Sequence, residues 1–311
     1  MSVSDAYARL SGAIAGTVGA QERMARHTSL RTGGPASLFL TCDTYGSLRL
    51  ATDVLHEEGI PWVIMGRGCS VIASDEGYDG AVITLGREFR RFLFDDERRM
   101  HVGAGTMLQR VVQEAFTRDL RGLEFAVGIP GTLGGAVSMN ATDGVRYLGQ
   151  LVDEVVTFRP GEGLVRYAGN EIGWYRSCSD IPPREIVLEA TLQLAAGTTD
   201  EAKRAMEGAL ARRHERSPLG KVTAGAIFAD PGEACPDGVV RTAGELIELC
   251  GCAGLTQGRA QVSPHGANHI VNLGGATSAD VARLIVTVLS KVRQGYGIEL
   301  RPEIKFLGFP S

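Results

Sequence analysis

The chain has 311 residues, 44% hydrophobic and 22% charged, with a net charge of -4, enough to bury a sizeable core in two or three domains. Its Lys and Arg are scattered, so no basic field exists to hold nucleic acid or anionic lipid, and no run approaches the roughly 18 apolar residues that cross a bilayer. Six cysteines in a chain this long do not form a disulfide framework, which fits a reducing compartment and an expected cytoplasmic location.

The N-terminal stretch "MSVSDAYARLSGAIAGTVGAQERMARH" has only a short, weakly apolar run broken by glycines, and is expected to be a surface helix. "ASLFLT" is predicted as a strand, "YGSLRLATDVLHEEG" as a helix and "PWVIMG" as a short buried strand, which together make a β-α-β unit. The second strand runs into "GRGCSVIASDEGYDGAVITL", where Gly66 and Gly68 would let backbone N–H groups approach a ligand. Glycine-rich turns after strands are common, and this loop by itself does not choose between a ligand cradle and a plain turn.

"RMHVGAG" is predicted as a strand. In "TMLQRVVQEAFTRDL" an amphipathic helix is expected, with Thr106 as cap and Leu108, Val111, Val112 and Ala115 on one face. Then comes "GLEFAVGIPGTLGGAVSMNA", with four glycines and one proline from Gly128 to Gly135. Such a segment is no ordinary helix or strand interior. It either brings backbone close to a ligand or makes a tight crossover. Strands follow at "LVDEVVTF" and "EIVLEATLQL". Helices are expected at "TTDEAKRAMEGALARRHERSP", "TAGELIELCG" and "TSADVARLIVTVLSKVRQGYG", the last with Ser278 as N-cap, and the chain closes on the strand-like "IELRPEIKFLG".

From about His27 onward the chain resembles the UDP-N-acetylenolpyruvoylglucosamine reductase family. The motifs that carry the resemblance are "HTSLRTGGPASLFL", "GRGCSVIASDEG", "GLEFAVGIPGTLGGAVSMNA", "YRSC", "TAGAIFADP", "AQVSPHGANHIVN" and "LRPEIKFLG", all in the family's order. The resemblance implies an α+β protein with a vanillyl-alcohol-oxidase-like FAD-binding fold in two subdomains (about 27–85 and 86–199). It further implies a third, α+β substrate-binding domain over 200–294, and a terminal strand at 295–311 that returns to the flavin side. An N-terminal extension covers 1–26.

It also implies an enzyme of peptidoglycan precursor synthesis, serving cell wall biogenesis, cell shape and cell division. In that reaction NADPH gives hydride to FAD, the reduced flavin gives it to the enolpyruvyl β-carbon of a UDP-sugar, and a protein acid protonates the α-carbon. A monomer is expected. The cofactor-binding positions carried over are Arg31, Gly66, Arg67, Gly68, Cys69, Ser70, Gly128, Ile129, Pro130, Gly131, Thr132, Gly134 and Gly135. Backbone amides suit a diphosphate better than mobile lysines do. Arg176 matches the family arginine beside the substrate carboxylate, where a guanidinium can neutralise enolate charge, and Glu303 matches the catalytic glutamate. Tyr175, Arg176, Asp230 and Asn268 are the substrate-binding positions. No resident metal is implied: Cys250, Cys252, His265 and His269 have a zinc-like spacing, but its first gap is too short.

The chain departs from the family at Ala226, where a serine or cysteine usually donates the proton. The neighbouring lysine and asparagine are Ala229 and Asp230, and the flavin loop carries Cys69 and Ser70 in place of serine and asparagine. Cys69 stands either as a small loop residue or as a group bonded to the flavin. Three explanations of Ala226 stay open: a working reductase using another acid (Glu303, His265, His269 or an ordered water), a flavoprotein whose second half-reaction is lost or changed, or a substituted variant. An FAD oxidase of the same superfold is a further alternative.

Overall fold

The computed structural model describes residues 2–95 and 98–310. The chain forms two compact units, each built from discontinuous segments. One comprises 1–21, 37–67 and 79–213, the other 22–36, 68–78 and 214–311.

The larger unit contains a five-stranded antiparallel sheet in the order Gly163–Ala168, Val152–Arg159, Ile186–Gln193, Arg99–Gly103, Phe92–Phe94. Val152, Val155, Val156 and Phe158 are buried on the second of these strands, and Ile186 to Leu188, Ala190 and Leu192 on the third. A four-stranded sheet runs Gly16–Arg23, Pro35–Cys42, Tyr78–Leu85, Trp62–Ile64, and its last two strands are parallel. The helix Tyr45–Glu57 makes the crossover. Thr44 caps it, and Leu48, Ala51, Thr52, Val54 and Leu55 are buried, the spacing of one helical face. The β-α-β expectation holds, except that Tyr78–Leu85 lies between the two strands that the helix connects.

Three local expectations are corrected. The N-terminal helix is limited to Val3–Leu10, held by a Ser2/Asp5 capping box. Gly12 and Gly16 then adopt positive φ, which ends the helix, and Gly16–Arg23 is a strand. Thr106 does not cap the helix Leu108–Phe116: the cap position is Met107, without a side-chain bond. Thr106 instead lends its carbonyl to Leu133 N at 2.8 Å. The cap of Ser278–Tyr296 is Thr277, which forms a capping box with Asp280. The Ser278 hydroxyl is already engaged, donating to Asp75 Oδ2 at 2.9 Å.

The second unit is assembled around the helix Ser278–Tyr296, whose Val281, Leu284, Ile285, Val288 and Val292 are buried together with Ile247, Val262, Ile270 and Ile304. A three-stranded antiparallel sheet (Thr256–Gln257, Ala260–Val262, Ile270–Asn272) lies in this unit. Its last residue, Asn272, donates to Leu30 O at 2.9 Å. The terminal strand is only Lys305–Leu307. It pairs in parallel with Val71–Ala73, the strand that directly follows the glycine loop.

Candidate active site

Within the larger unit the two glycine-rich segments meet. A Cβ at Gly66 would run into Thr132 Oγ1, so any larger residue here must move the threonine hydroxyl aside. The segment 128–135 is partly tied into the protein: Ile129 N donates to Ala126 O, Leu133 N to Thr106 O, and Gly134 N to Ala104 O. A six-residue helix, Leu133–Ser138, begins inside it. The close approach of Gly134 to Ala104, 3.0 Å from a would-be Cβ to the Ala104 methyl, explains that glycine as packing. Gly128 and Gly131 take positive φ, 74° and 122°, and a Cβ on Gly131 would meet nothing within 4 Å. Thr106 Oγ1, buried under this segment, has no hydrogen-bond partner among the described residues. A cradle with open space at a glycine and an orphaned buried hydroxyl beneath it is suited to a bound group bearing acceptor oxygens.

Arg176 sits at the tip of a short hairpin in which Tyr175 pairs with Cys178 and Ser177 adopts φ 60°. Asn140 holds this hairpin. It is 2% exposed with φ 42°, its Nδ2 donates to Tyr175 O at 2.8 Å, and its Oδ1 accepts from Gly149 N at 2.9 Å. Tyr175 and Arg176 line a cleft of about 260 Å³ with Tyr147, Gln150 and Trp174. Trp174 is fixed by its indole N–H, which donates to Gly169 O at 2.8 Å. Both side chains at the tip are exposed, so the cleft presents a guanidinium and two phenols to solvent.

The second unit gathers the other half of the expected residues. The carbonyls of three successive loop residues are all used by the scaffold: Gly68 O accepts from Ser29 N at 3.2 Å, Cys69 O from Gly225 N at 2.8 Å, and Ser70 O from Lys305 N at 2.8 Å. Turning the carbonyls inward aims the peptide dipoles of 68–70 the other way, as an anion nest requires. Arg31 follows in a left-handed turn, φ 58°, and is exposed. The buried hydroxyl of its neighbour Thr32 has no partner among the described residues.

Ala226 lies in a turn clamped from both sides. Ala224, Ile227 and Phe228 are buried, whereas Ala226 is half-exposed. Ile227 O accepts from Glu303 N at 2.8 Å and Ala229 N donates to Arg301 O at 2.9 Å, which sets the Glu303 backbone beside the turn. Asn268 spends both ends of its amide on Phe228: Oδ1 accepts from the N–H at 3.0 Å and Nδ2 donates to the carbonyl at 2.8 Å. Asp230 Oδ1 accepts from Ala243 N at 2.7 Å, at the start of helix Ala243–Leu249. Of the alternative acids, His265 directs Nε2 at His214 O, and His269 directs Nδ1 at Gly266 O, 3.1 Å away.

Residues 36–159 match the family model for an FAD binding domain. Residues 217–307 match the model for the C-terminal domain of UDP-N-acetylenolpyruvoylglucosamine reductase. The curated reductase of that name from Heliobacterium modesticaldum is 39% identical over 93% of this chain and 90% of its own length. The one from Syntrophotalea carbinolica is 35% identical, covering 97% of this chain and 98% of its own. The chain belongs to the UDP-N-acetylenolpyruvoylglucosamine reductase family. A crystal structure of the Thermus caldophilus reductase superimposes with a TM-score of 0.78 at 30% identity, covering 94% of this chain and 100% of that one.

The α+β flavin-binding architecture expected from the sequence therefore holds. Ala226 itself stands in a turn whose supports at Gly225, Ile227 and Phe228 are all present. Two contributors are not legible in these roles from the sequence: Asn140 and Thr106. Asn140 lies in the quoted motif "VSMNA", but its buried position and double hydrogen bond are tertiary facts.

Proposed function

We propose that the protein is an FAD-dependent, NADPH-using oxidoreductase that reduces UDP-N-acetylglucosamine enolpyruvate to UDP-N-acetylmuramate in peptidoglycan precursor synthesis. In this proposal it works as a cytoplasmic monomer. The observation that carries it is the meeting of Gly66 with Thr132, which joins the two glycine-rich segments inside the region matched by the FAD-binding family. When bound, FAD supplies the hydride relay between NADPH and the enolpyruvyl double bond. In this assignment 27–199 handle the flavin and 200–294 the substrate. The glycine nest 66–70 and the amides of 128–135 not spent inside the protein hold the cofactor diphosphate. Arg31 and Arg67 supply positive charge at its edge.

Arg176, held by Asn140 through the Tyr175 carbonyl, binds the enolpyruvyl carboxylate and stabilises the negative charge that grows on it as the β-carbon is reduced. Tyr175 walls the same cleft. The α-carbon then needs a proton. Ala226 has no O–H or S–H to give, and the rings of His265 and His269 face backbone carbonyls. Glu303, set beside the turn by its bond to Ile227, is the proposed donor. Asn268 and Asp230 act by fixing the turn and the helix behind it.

A second proposal is favoured by Ala226 itself: a family member that reduces its flavin with NADPH but passes hydride on slowly or to another acceptor. The test is anaerobic. NADPH is expected to bleach the flavin, and the enolpyruvyl substrate to restore its colour. Bleaching without restoration would leave only the second proposal. Rapid reoxidation by oxygen with no preference for NADPH would point instead to an oxidase, a reading that the C-terminal domain match disfavours.

A further inference from the structure

The five-stranded sheet of the larger unit ends on one side at Phe92–Phe94, whose outer edge pairs with no strand among the described residues. On its inner side Phe92 stands opposite Val102, Leu93 opposite His101 and Phe94 opposite Met100. Arg91 O accepts from Gly103 N at 2.9 Å, and Asp95 N donates to Arg99 O at 3.2 Å. Residues 91, 93 and 95 therefore turn their backbone groups inward. Alternation turns the N–H and C=O groups of Phe92 and Phe94 outward, to the free edge.

Side chains alternate as well. Phe92 and Phe94 take one face, with the Arg110 guanidinium 5.1 Å from the first ring centre and that of Arg118 3.8 Å from the second. Glu114 lies within 4.0 Å of both arginines and offsets their charge. Arg91, Leu93 and Asp95 take the opposite face. Leu93 is 63% exposed, and Arg91 makes no side-chain hydrogen bond or ion pair among the described residues. Asp95 accepts from Arg99 Nε at 2.7 Å, which leaves lone pairs on both carboxylate oxygens for a further donor.

The run Arg91-Phe92-Leu93-Phe94-Asp95 is symmetric about Leu93 in its apolar residues and complementary in its charges. An antiparallel copy laid edge to edge, with a twofold axis at Leu93, sets each Arg91 against Asp95 of the second copy and each Phe92 against Phe94. The backbone agrees with this register. Phe92 and Phe94 exchange N–H···O bonds across the axis, while the two Leu93 residues form the close pair without hydrogen bonds. Parallel pairing would instead set Arg91 beside its own copy. The other edge of the sheet, Gly163–Ala168, makes no such offer, because its charges are matched within one chain: Arg166 with Glu154 at 2.6 Å and Arg159 with Glu162 at 2.8 Å.

We propose that Phe92–Phe94 is a docking edge for a second copy of this chain, which pairs antiparallel about Leu93 and joins the two sheets into one. A contact this short is smaller than a permanent interface, so the pair forms when the protein is concentrated. The strand carries none of the residues assigned to the reaction, and the single chain proposed above stays the catalytic unit.

The test is sedimentation velocity of the full chain from about 1 µM to about 1 mM, the span over which weak contacts populate. Wild type is expected to pass from one chain to two. Arg91→Asp and Asp95→Arg each set like charges together on both sides of the axis, and each is expected to weaken self-association at least about tenfold. Mixed in equal amounts, the two variants are expected to associate again, because each then meets opposite charges at both positions of the other. Leu93→Lys, at an exposed site, sets two cations together on the axis and should also leave single chains. With Arg91→Asp it still decides the matter if Asp95→Arg, which loses its bond to Arg99, does not fold.

Wild type that stays single over the whole range overturns the proposal. Association that Arg91→Asp and Leu93→Lys leave unchanged lies on another face and overturns it too, as does a mixture that stays single although both variants have native circular dichroism. Wild type that stays single but binds a labelled hexapeptide of alternating valine and aspartate would give the edge to an acidic partner, which likewise overturns pairing with a copy.

Discussion

At the scale of single residues the site depends on atoms that are missing. At Gly66 the space of a Cβ is filled by Thr132 Oγ1, so Gly66→Ala must displace the Thr132 side chain where the two glycine-rich segments meet. Purified Gly66→Ala protein is expected to have lost its bound flavin, read as visible absorbance relative to protein, while its far-ultraviolet circular dichroism stays native. Ala226 offers only a methyl group, which has no proton to give. Introducing a hydroxyl with Ala226→Ser places a donor in a turn whose supports at Gly225, Ile227 and Phe228 are already in position. General acid catalysis contributes about 10²–10⁴-fold. Ala226→Ser is therefore expected to accelerate substrate-driven flavin reoxidation about a hundredfold and leave bleaching by NADPH unchanged. Equal reoxidation rates would show that Glu303 already carries the proton at full efficiency.

At the scale of elements, the five-stranded sheet is held by a buried acidic group that takes no part in the proposed chemistry. Glu185, its side chain 1% exposed, accepts from Arg159 Nη2 at 2.7 Å, from Tyr167 Oη at 2.8 Å and from the Thr157 hydroxyl. Burial alone pushes its carboxyl up, but the hydrogen bonds from Thr157, Arg159 and Tyr167 outweigh it and hold the pKa below 4.5. A folded-state pKa depressed in this way contributes stability in full above the ordinary carboxylate value, and that stability is lost as pH falls through the depressed one. Denaturant titrations of wild type are thus expected to show a loss of stability on acidification below about pH 4.3. Glu185→Ala, which leaves the buried Thr157 hydroxyl without its acceptor, should flatten that part of the profile and cost about 1–3 kcal/mol near neutral pH. An unchanged acid limb in the variant would remove Glu185 from the explanation. The caps show the same competition for partners. A threonine or serine near a helix start is legible in sequence, but which of Thr277 and Ser278 caps was decided by Asp75, which had already engaged the serine.

At the scale of the whole molecule, ligand binding and folding are linked. FAD that binds only the folded chain stabilises it by RT ln(1 + [L]/Kd), about 2.7 kcal/mol at a hundred times Kd. Adding FAD to apoprotein at that ratio is expected to raise the Tm of the flavin-holding unit by roughly 5 °C. Riboflavin should do less, because it leaves the diphosphate nest unfilled. The periodicity of the long helices and sheet strands, the two glycine-rich segments and the family itself were all readable from sequence, because each rests on local spacing or on motifs in a set order. The N-terminal strand was not, since nothing before Gly16 distinguishes a frayed helix from an edge strand until Pro35–Cys42 pairs with it. Asn140 was one polar residue among glycines until burial gave it both the Tyr175 carbonyl and the Gly149 amide. Sequence by itself determined which chemical groups this protein has, and that position 226 carries only a methyl. Only the tertiary structure decided which groups are spent on one another and which are left for a ligand, because a hydrogen bond made inside the fold is no longer available outside it.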